Sequence, residues 1–508
     1  MNANHQEVYE LIEKIVGPSF ISDDPAVLEA YSRTGWILGR KNKSRPGYVI
    51  LPNSVQDVQE IVRIANKYGV PYIPIGSFLH WSCQASYPNT IILDFKRMDK
   101  ILKIDEKNKY AIIEPFVTYS QLQTEAMKKN LWLPVPSSGG NTSVLANHLF
   151  CGSHFAMHRI PYYARAILGV EWVLPTGEIL KLGSAGYGDG TDYFWGEGPG
   201  PDLKGLMRGY VGALGGLGVI TKMAIRLYPW TGPETFPCKG VFPEKVVNFS
   251  PDLAKLYLAI FPNTEDAVNA IYDICKAEIG MSLHLVSTAM AMAPMARNKK
   301  EFQRLCKGFK NIPEFILFMS FNTSPGVMSY EEKALKEIVD RCKGNLIPDE
   351  IVSSLREGIP ETLRSCVSMR IINPTGGYDV FRSWAESLDK LLDQLKEAKN
   401  FLSDQYGDFI HFYYLIPLEL GHYGHIELSI LYDPINQLDE ALECQNKGIQ
   451  QDADQKMYVT GSAGPAHKIL GPAYGNYHLL LKEIKKKIDP NNVSNPPFPI
   501  DVGKPGGK

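Results

Sequence analysis

From Ser54 to Leu122 the chain reads as one helix followed by four β runs in close succession, an order that a strictly alternating βαβ sheet cannot hold. In SVQDVQEIVRIANKYGV the apolar residues at 55, 58, 61, 62 and 64 follow Ser54, an N-cap residue type, and a glycine stops the helix. PYIPIG then reads as a buried strand that ends on Gly76. TIILDF, KILKID and YAIIEPFV follow it, with EKNK as the turn between the last two. TYSQLQTEAMKKNL opens with a capping box, Thr118 and Gln121, and continues as a helix. AILGVEWVLPTGEILKLG reads as a hairpin about Pro175, Thr176 and Gly177. DLKGLMRGYVGALGGLGVITKMAIRLYPW is a short helix, a glycine-rich bend and a strand. The order to about residue 230 is therefore mixed α+β, which argues against a nicotinamide-binding doubly wound domain.

From about residue 235 the texture changes. TGPETFP reads as a linker, and beyond it amphipathic helices are expected over 264–279, 330–343 and 378–398, alternating with strands such as FILFMSFN and HFYYLIPLEL. A second α+β unit follows from this, as does the size of the chain: 508 residues, 44% apolar, exceed what one core sustains. The tail is a helix ended by Asp489-Pro490 and then a proline-rich strap, which must pack on something.

Charge narrows the partners. With 53 basic and 55 acidic residues there is no basic stripe of the kind nucleic acid requires, so a small molecule is the expected ligand. The eight cysteines include no CxxC pair, which argues against iron–sulfur and structural zinc sites and fits free thiols in a reducing compartment. MNANHQEVYELIEKIVG has the pattern of an acidic amphipathic helix and lacks the order of a signal peptide. No run of about 18 apolar residues occurs, so a cytoplasmic location without membrane insertion is expected.

Four segments, in this order, resemble the FAD domain of the vanillyl-alcohol oxidase and p-cresol methylhydroxylase family. They are PYIPIGSFLHWSCQASYPNTIILDFKRMDKILKIDEKNKYAIIEPFVTYSQL, PVPSSGGNTSVLAN (134–147), GVEWVLPTGEILKLG (169–183) and GEGPGPDLKGLMRGYVGALGGLGVITKMAIRLYP (196–229). KIDPNNVSNP is similar to the family's D-P-N-G-I-x-x-P close, so the likeness spans 45–230 and 455–497. The resemblance implies an α+β fold with a two-subdomain FAD-binding domain of the p-cresol methylhydroxylase type over 1–235. It further implies an α+β cap domain over 236–449, with an antiparallel sheet flanked by helices, and a C-terminal return over 450–508 that packs on the FAD domain. Burying the doubly charged diphosphate of FAD requires backbone N–H groups that converge without side chains between them. IPIGSFLH resembles the family's P-x-x-x-G loop, which assigns this role to Pro74, Ile75, Gly76, Ser77, Phe78 and Leu79. By the same resemblance Pro136, Ser137, Ser143, Asn147, Gly218, Val219 and Thr221 are further cofactor contacts.

The chain also departs from the family. Where relatives carry further glycines it has Phe78, Leu79, His80, Trp81 and Cys83, whose side chains must point away from the phosphates. Trp81 stands where the phenol oxidases have a substrate-binding tyrosine, and an indole N–H donates but cannot share a proton. The family's C-terminal Tyr-Arg pair falls on Met457-Tyr458-Val459-Thr460, which keeps Tyr458 and lacks the arginine. Pro161-Tyr162-Tyr163 replaces a G-D-H triplet near the flavin edge, so Tyr162 and Tyr163 either line the substrate pocket or are half-buried aromatics. Flavins of this family are often tethered to a His or Tyr. His80 and His411 each stand one residue off that register, so non-covalent FAD is expected, with His411 the better tether.

GHYGHIEL groups His422, His425 and Glu427, the last two on one face if the segment is a strand. It partly resembles the metal-binding G-H-x-G...H run of 2-hydroxy-acid dehydrogenases of the D-lactate and glycolate type, without its D-G-N. No metal is expected, with these three residues as the alternative set. His154 and His158 read as structural, and GYGDG (186–190) and GEGPGP (196–201) as loops. The resemblance thus implies an FAD-dependent oxidase or dehydrogenase that moves a hydride from an alcohol or activated C–H substrate, aromatic or alicyclic, to flavin N5. Its substrate residues would come from Trp81, Tyr162, Tyr163, His411, Tyr413, His422, His425 and Tyr458. The alternatives are a metal-assisted D-2-hydroxy-acid dehydrogenase and a non-catalytic flavin-binding electron-transfer subunit. An electron-acceptor protein and a homodimer through the second domain are the partners the family implies.

Overall fold

The computed structural model of the protein describes residues 3–32, 44–77, 83–136, 139–150, 152–183, 202–207, 213–234, 237–240, 246–247, 253–292, 296, 298–308, 314–322, 324–355, 377–407, 409–455 and 465–506. Three sheets organise them. In the first, β1 (Ile21–Ser22), β2 (Tyr48–Ile50), β3 (Tyr72–Ile75) and β4 (Ile91–Asp94) run in the order β1-β2-β4-β3, with β2, β4 and β3 parallel. Parallel neighbours need a crossover, and the helix Val55–Tyr68 supplies it between β2 and β3. Ser54 caps that helix by accepting from the Asp57 amide, and Gly69, at φ 64°, ends it. Val58, Ile61, Val62 and Ala65 pack onto Tyr48, Ile50, Tyr72, Ile91 and Leu93.

The second sheet is the meander. β5 (Ile101–Asp105) and β6 (Tyr110–Ile113) precede a short β7 (Leu131–Trp132), and β8 (Ile167–Val173), β9 (Ile179–Leu182) and β10 (Val219–Arg226) complete an antiparallel sheet in the order β5-β6-β10-β8-β9. β7 pairs apart from it with β11 (Tyr228–Pro229). The Thr118–Gln121 capping box and the hairpin turn at Pro175–Gly177 both form as the residue types dictate.

After the two-residue pair β12 (Cys238–Lys239) and β13 (Val246–Val247), a third sheet dominates. Its strands are β14 (Ala254–Ile260), β15 (Ser282–Val286), β16 (Phe315–Phe321), β17 (Asn345–Leu346), β18 (Gly377–Ala385), β19 (Ile410–Leu418) and β20 (Tyr423–Tyr432). They lie in the order β17-β14-β16-β15-β19-β20-β18, antiparallel at every pair. The helices Thr264–Lys276, Pro325–Arg341 and Leu388–Gln405 cover one face. The other, inner face meets the FAD-type lobe through Trp132, Ala156, Met157, Ile160, Ala164 and Trp230.

The helix expected over 378–398 requires correction. Gly377–Ala385 is β18, hydrogen-bonded along β20, and the helix begins only after Ser387, whose hydroxyl accepts from the Lys390 amide. The apolar periodicity ran across that cap. The helix expected at 330–343 starts earlier, at Pro325, a residue suited to a first helical turn.

The C-terminal helix Tyr477–Ile488 and the strap after it are pinned by one buried cation. Lys485, 0% exposed, donates from Nζ to Asp489 Oδ2 (2.5 Å), Gly216 O (2.6 Å) and Ser494 O (2.7 Å). Asp489 also accepts from the amides of Val493 and Ser494. The strap then lies beside β3: the Tyr72 amide donates to Val493 O and the Asn495 amide to Tyr72 O. Replacing Lys485 with Ala strands a buried carboxylate, so a loss of about 3–5 kcal/mol in chemical denaturation is expected. An unchanged midpoint would show that the strap is held by other contacts.

Candidate functional site

At the end of β3 the chain turns at Gly76, where a Cβ would lie 2.9 Å from Ser143 Cβ and 3.2 Å from Ser143 Oγ. Only glycine permits this approach. The Ser143 amide donates to Ser77 Oγ (3.2 Å), and Ser143 Oγ donates to Pro115 O (2.7 Å) while accepting from the Ala146 amide (3.1 Å). Asn147 ties the same turn, its Nδ2 donating to Ser143 O (2.9 Å) and Thr142 Oγ1 (3.2 Å). From the opposite side Gly215, at φ 74°, stands over Pro74, to whose Cγ a Cβ would come within 2.8 Å. Gly218, at φ 94°, passes against Val173 O and donates its N–H to Ser494 Oγ (2.7 Å).

Pro74, Ile75, Gly76, Ser77, Ser143 and Asn147 are thus brought together, with Pro136 bridged to His154 and Val219 paired with Val173 inside the core. A glycine turn packed this closely on the Ser143 turn suits main-chain binding of a diphosphate, the role that the resemblance assigns to it, so the residues present fit FAD. Thr221 requires correction as a side-chain contact: its hydroxyl is committed to Glu171 Oε1 (2.9 Å) within the sheet. Ser137, Phe78, Leu79, His80, Trp81 and Tyr458 lie outside the described residues, as do 186–190 and 196–201.

On the inner face of the third sheet β19 and β20 present a polar group. Tyr414 and Glu427 are register partners, and Tyr414 Oη donates to Glu427 Oε2 at 2.5 Å. His425 Nε2 stands 4.0 Å from the same oxygen, and Ser153 Oγ of the FAD-type lobe 3.4 Å from Tyr414 Oη. His425 and Glu427 therefore share a face, as period two dictates. His422 does not join them: it is exposed at the hairpin tip, edge-on to Tyr423 at 6.2 Å. Among the described residues no three His, Cys, Asp or Glu side chains converge on a metal position, which corrects the alternative set His422, His425 and Glu427.

Strand alternation also corrects His411 and Tyr413. Both belong to the helix-covered face: Lys399 lies 4.6 Å over the Tyr413 ring, and the Tyr413 hydroxyl bonds Glu314. Burial, with the Lys399 charge added, lowers the His411 pKa. Neither side chain faces the FAD-type lobe, while Tyr414, one residue on, does. Its pairing with Glu427 follows from strand register, which no local pattern announced.

Tyr162 and Tyr163 part ways. Tyr162 lies at the lobe junction, where Arg165 bonds Glu419 (2.5 and 2.7 Å) and its guanidinium sits 5.3 Å from the Tyr162 ring and 5.1 Å from that of Tyr423. The amides of Glu419 and Leu420, both at positive φ, donate to Met157 O and His158 O and dock the β19–β20 tip. Tyr163 is core, a correction to its pocket role: it donates to Pro134 O (2.8 Å) among the rings of Tyr119, His148 and His154. Burial raises its pKa far above the usual phenol range.

Four histidines are buried around this junction. Burial lowers the pKa of His148 and His158 to about 4 and of His154 and His284 to about 3. His154 and His158 are anchored on Pro161 O (3.2 Å) and Ile279 O (2.9 Å). They are neutral packing groups at neutral pH.

Residues 46–183 match the family described as FAD binding domain. The chain is 26% identical over 278 residues to the glycolate oxidase subunit GlcD of Bacillus subtilis, a match that covers 54% of this chain and 52% of that protein. It is 22% identical over 475 residues to the 4-cresol dehydrogenase [hydroxylating] flavoprotein subunit of Pseudomonas putida, covering 89% and 87%. The chain thus spans about half the length of the first of these relatives. Among solved structures, p-cresol methylhydroxylase with substrate bound superposes with a TM-score of 0.79 at 18% identity, over 99% of this chain and 98% of that one.

Two outcomes follow from this geometry. Gly76→Val, which drives a side chain into Ser143, should yield folded protein that binds FAD at least about tenfold more weakly, read by flavin content after gel filtration. Wild-type flavin content would disprove the cradle. The buried histidines bind protons in the unfolded chain below about pH 6.5 and not in the folded one, so stability should fall as pH drops from about 6.5 towards 4 and 3. Melting temperatures across that range check it, and a flat profile would contradict their burial.

Proposed function

We propose that the chain is an FAD-dependent oxidoreductase of the vanillyl-alcohol oxidase and p-cresol methylhydroxylase type that oxidises an alcohol or an activated C–H carbon of a small, aromatic or alicyclic substrate, a reading supported by the FAD binding domain match and the likeness to the 4-cresol dehydrogenase flavoprotein subunit. FAD, held non-covalently, supplies the hydride acceptor at its N5. The observation that carries this reading is the Tyr414–Glu427–His425 group on the inner face of the cap sheet, opposite the lobe that carries the glycine turn. An otherwise apolar wall with a few placed polar groups is what a small substrate requires.

In this reading main chain from Pro74 to Leu79, with Pro136, Ser137, Ser143, Asn147 and the backbone of Gly218–Thr221, holds the cofactor. Tyr162 borders the substrate space, and Trp81 and Tyr458 complete it. Residues 1–235 and 450–508 form the FAD-binding unit and 236–449 the cap. A separate electron acceptor, a cytoplasmic location and pairing of two copies belong to the same proposal. None of the helices among the described residues is long and apolar enough to cross a membrane. Relatives named for cresol and for glycolate point to two substrate classes, and the titration below separates them.

The test is an anaerobic titration of the purified yellow protein with alcohols, alkylphenols and 2-hydroxy acids. Bleaching of the flavin band by an alcohol or alkylphenol, insensitive to chelator, is the expected outcome. Bleaching by 2-hydroxy acids alone, abolished by chelator, would overturn it in favour of the metal-assisted dehydrogenase. A spectrum untouched by every donor would point to a non-catalytic flavin carrier.

A further inference from the structure

The geometry points to Tyr414 and Glu427 as the pair that accepts the hydroxyl proton of an uncharged alcohol or phenol, with His425 beside the carboxylate as a positioning residue. This rests on the flavin-dependent oxidation proposed above and names the substrate class and proton acceptor for it. Glu427 and His425 are 15% and 3% exposed in their side chains, on a face that also carries Ile416, Leu418, Ser429 and His284 and that packs on Met157 and Ala164 of the other lobe. A carboxylate in such surroundings is costly unless hydrogen-bonded, and the Tyr414 hydroxyl answers that at 2.5 Å. Ser153 Oγ, 3.4 Å from the same hydroxyl, marks it as lying where the two lobes meet. The titratable groups on the neighbouring elements are accounted for. His154, His158 and His284 are held neutral by burial, and Arg165 is paired with Glu419.

The step balances. Bound FAD would supply the two-electron acceptor for the hydride lost from the substrate C–H bond; the substrate O–H proton passes to the Tyr414 oxygen and the Tyr414 proton passes to Glu427. A carbonyl product, reduced flavin and a neutral Glu427 carboxyl remain. The same carboxylate repels an anionic ligand, which sets the site against 2-hydroxy acids.

Holoenzyme carrying Tyr414→Phe or Glu427→Gln, with flavin content checked, gives two readouts. The first is the anaerobic bleaching rate with whichever alcohol or alkylphenol reduces the wild type fastest, and each variant should be slowed by about a hundredfold or more. The second needs no turnover: benzoate, titrated by its perturbation of the flavin spectrum, should bind Glu427→Gln at least about tenfold more tightly than wild type. Bleaching within about threefold of wild type in both variants, or equal benzoate affinity, overturns the assignment. Failure of the wild type to bleach with any alcohol or phenol overturns instead the oxidation on which it rests, while the benzoate comparison still reads Glu427.

Discussion

A side chain at position 76 would collide with Ser143, so the two turns meet only because residue 76 is glycine. That contact joins the end of β3, which belongs to the parallel sheet, to the turn before the helix Val144–Phe150, which packs with the antiparallel meander. Two sheets with separate cores therefore share one seam. The bend at Gly215–Gly218 closes that seam from the other side, and the strap behind it is fixed by Lys485. A buried lysine is worth its desolvation only when its donors are all used, and here its three bonds join the C-terminal helix and the strap after it to a bend 269 residues away in sequence.

The second constraint is the alternation of β19. Residues 411, 413 and 415 go to the helices, and 412, 414, 416 and 418 to the inner face, so a shift of one residue would exchange the entire set. Register is protected at the hairpin tip, where Glu419 and Leu420 adopt left-handed backbone that non-glycine residues avoid. Their amides bond the chain at 157–158, and Arg165 adds an ion pair roofed by two tyrosine rings. The contact that holds the lobes together also sets which side chains of β20 look across the gap.

Much of the fold was legible because local chemistry decides it. Ser54 and Gly69 bound a helix, Thr118 and Gln121 cap another, and Pro175–Gly177 turn a hairpin, each through neighbours within a few residues. The sharp turn at the end of β3 was legible through Gly76 for the same reason. The cap side of the site was not. His411 was singled out by position along the strand, yet pairing across β19 and β20 selects Tyr414, because direct opposition to Glu427 is a fact of register between segments. Tyr163, adjacent to Tyr162, is drawn into the core by Pro134 O and three rings that lie up to 44 residues away in sequence. The misplaced helix start has the same origin, since a stretch that could be helix or strand was decided by β20 as partner.

Charge placement at the junction gives a last constraint. Glu427 lies on the inner face, and Glu419 lies at its tip, but Arg165 donates from Nη1 to both carboxylate oxygens of Glu419 and its guanidinium is held between Tyr162 and Tyr423. Freeing it for a ligand carboxylate would uncouple the docked tip, so its charge serves lobe attachment first. In the sequence the position of the family's Tyr-Arg pair holds Tyr458 followed by valine, so the arginine of that pair is missing. With His154 and His284 neutral, what the described inner face offers a substrate is a largely buried, hydrogen-bonded carboxylate beside His425. Such a wall accepts a proton far more readily than it accepts a negative charge, and an uncharged hydroxyl is the group that satisfies both demands.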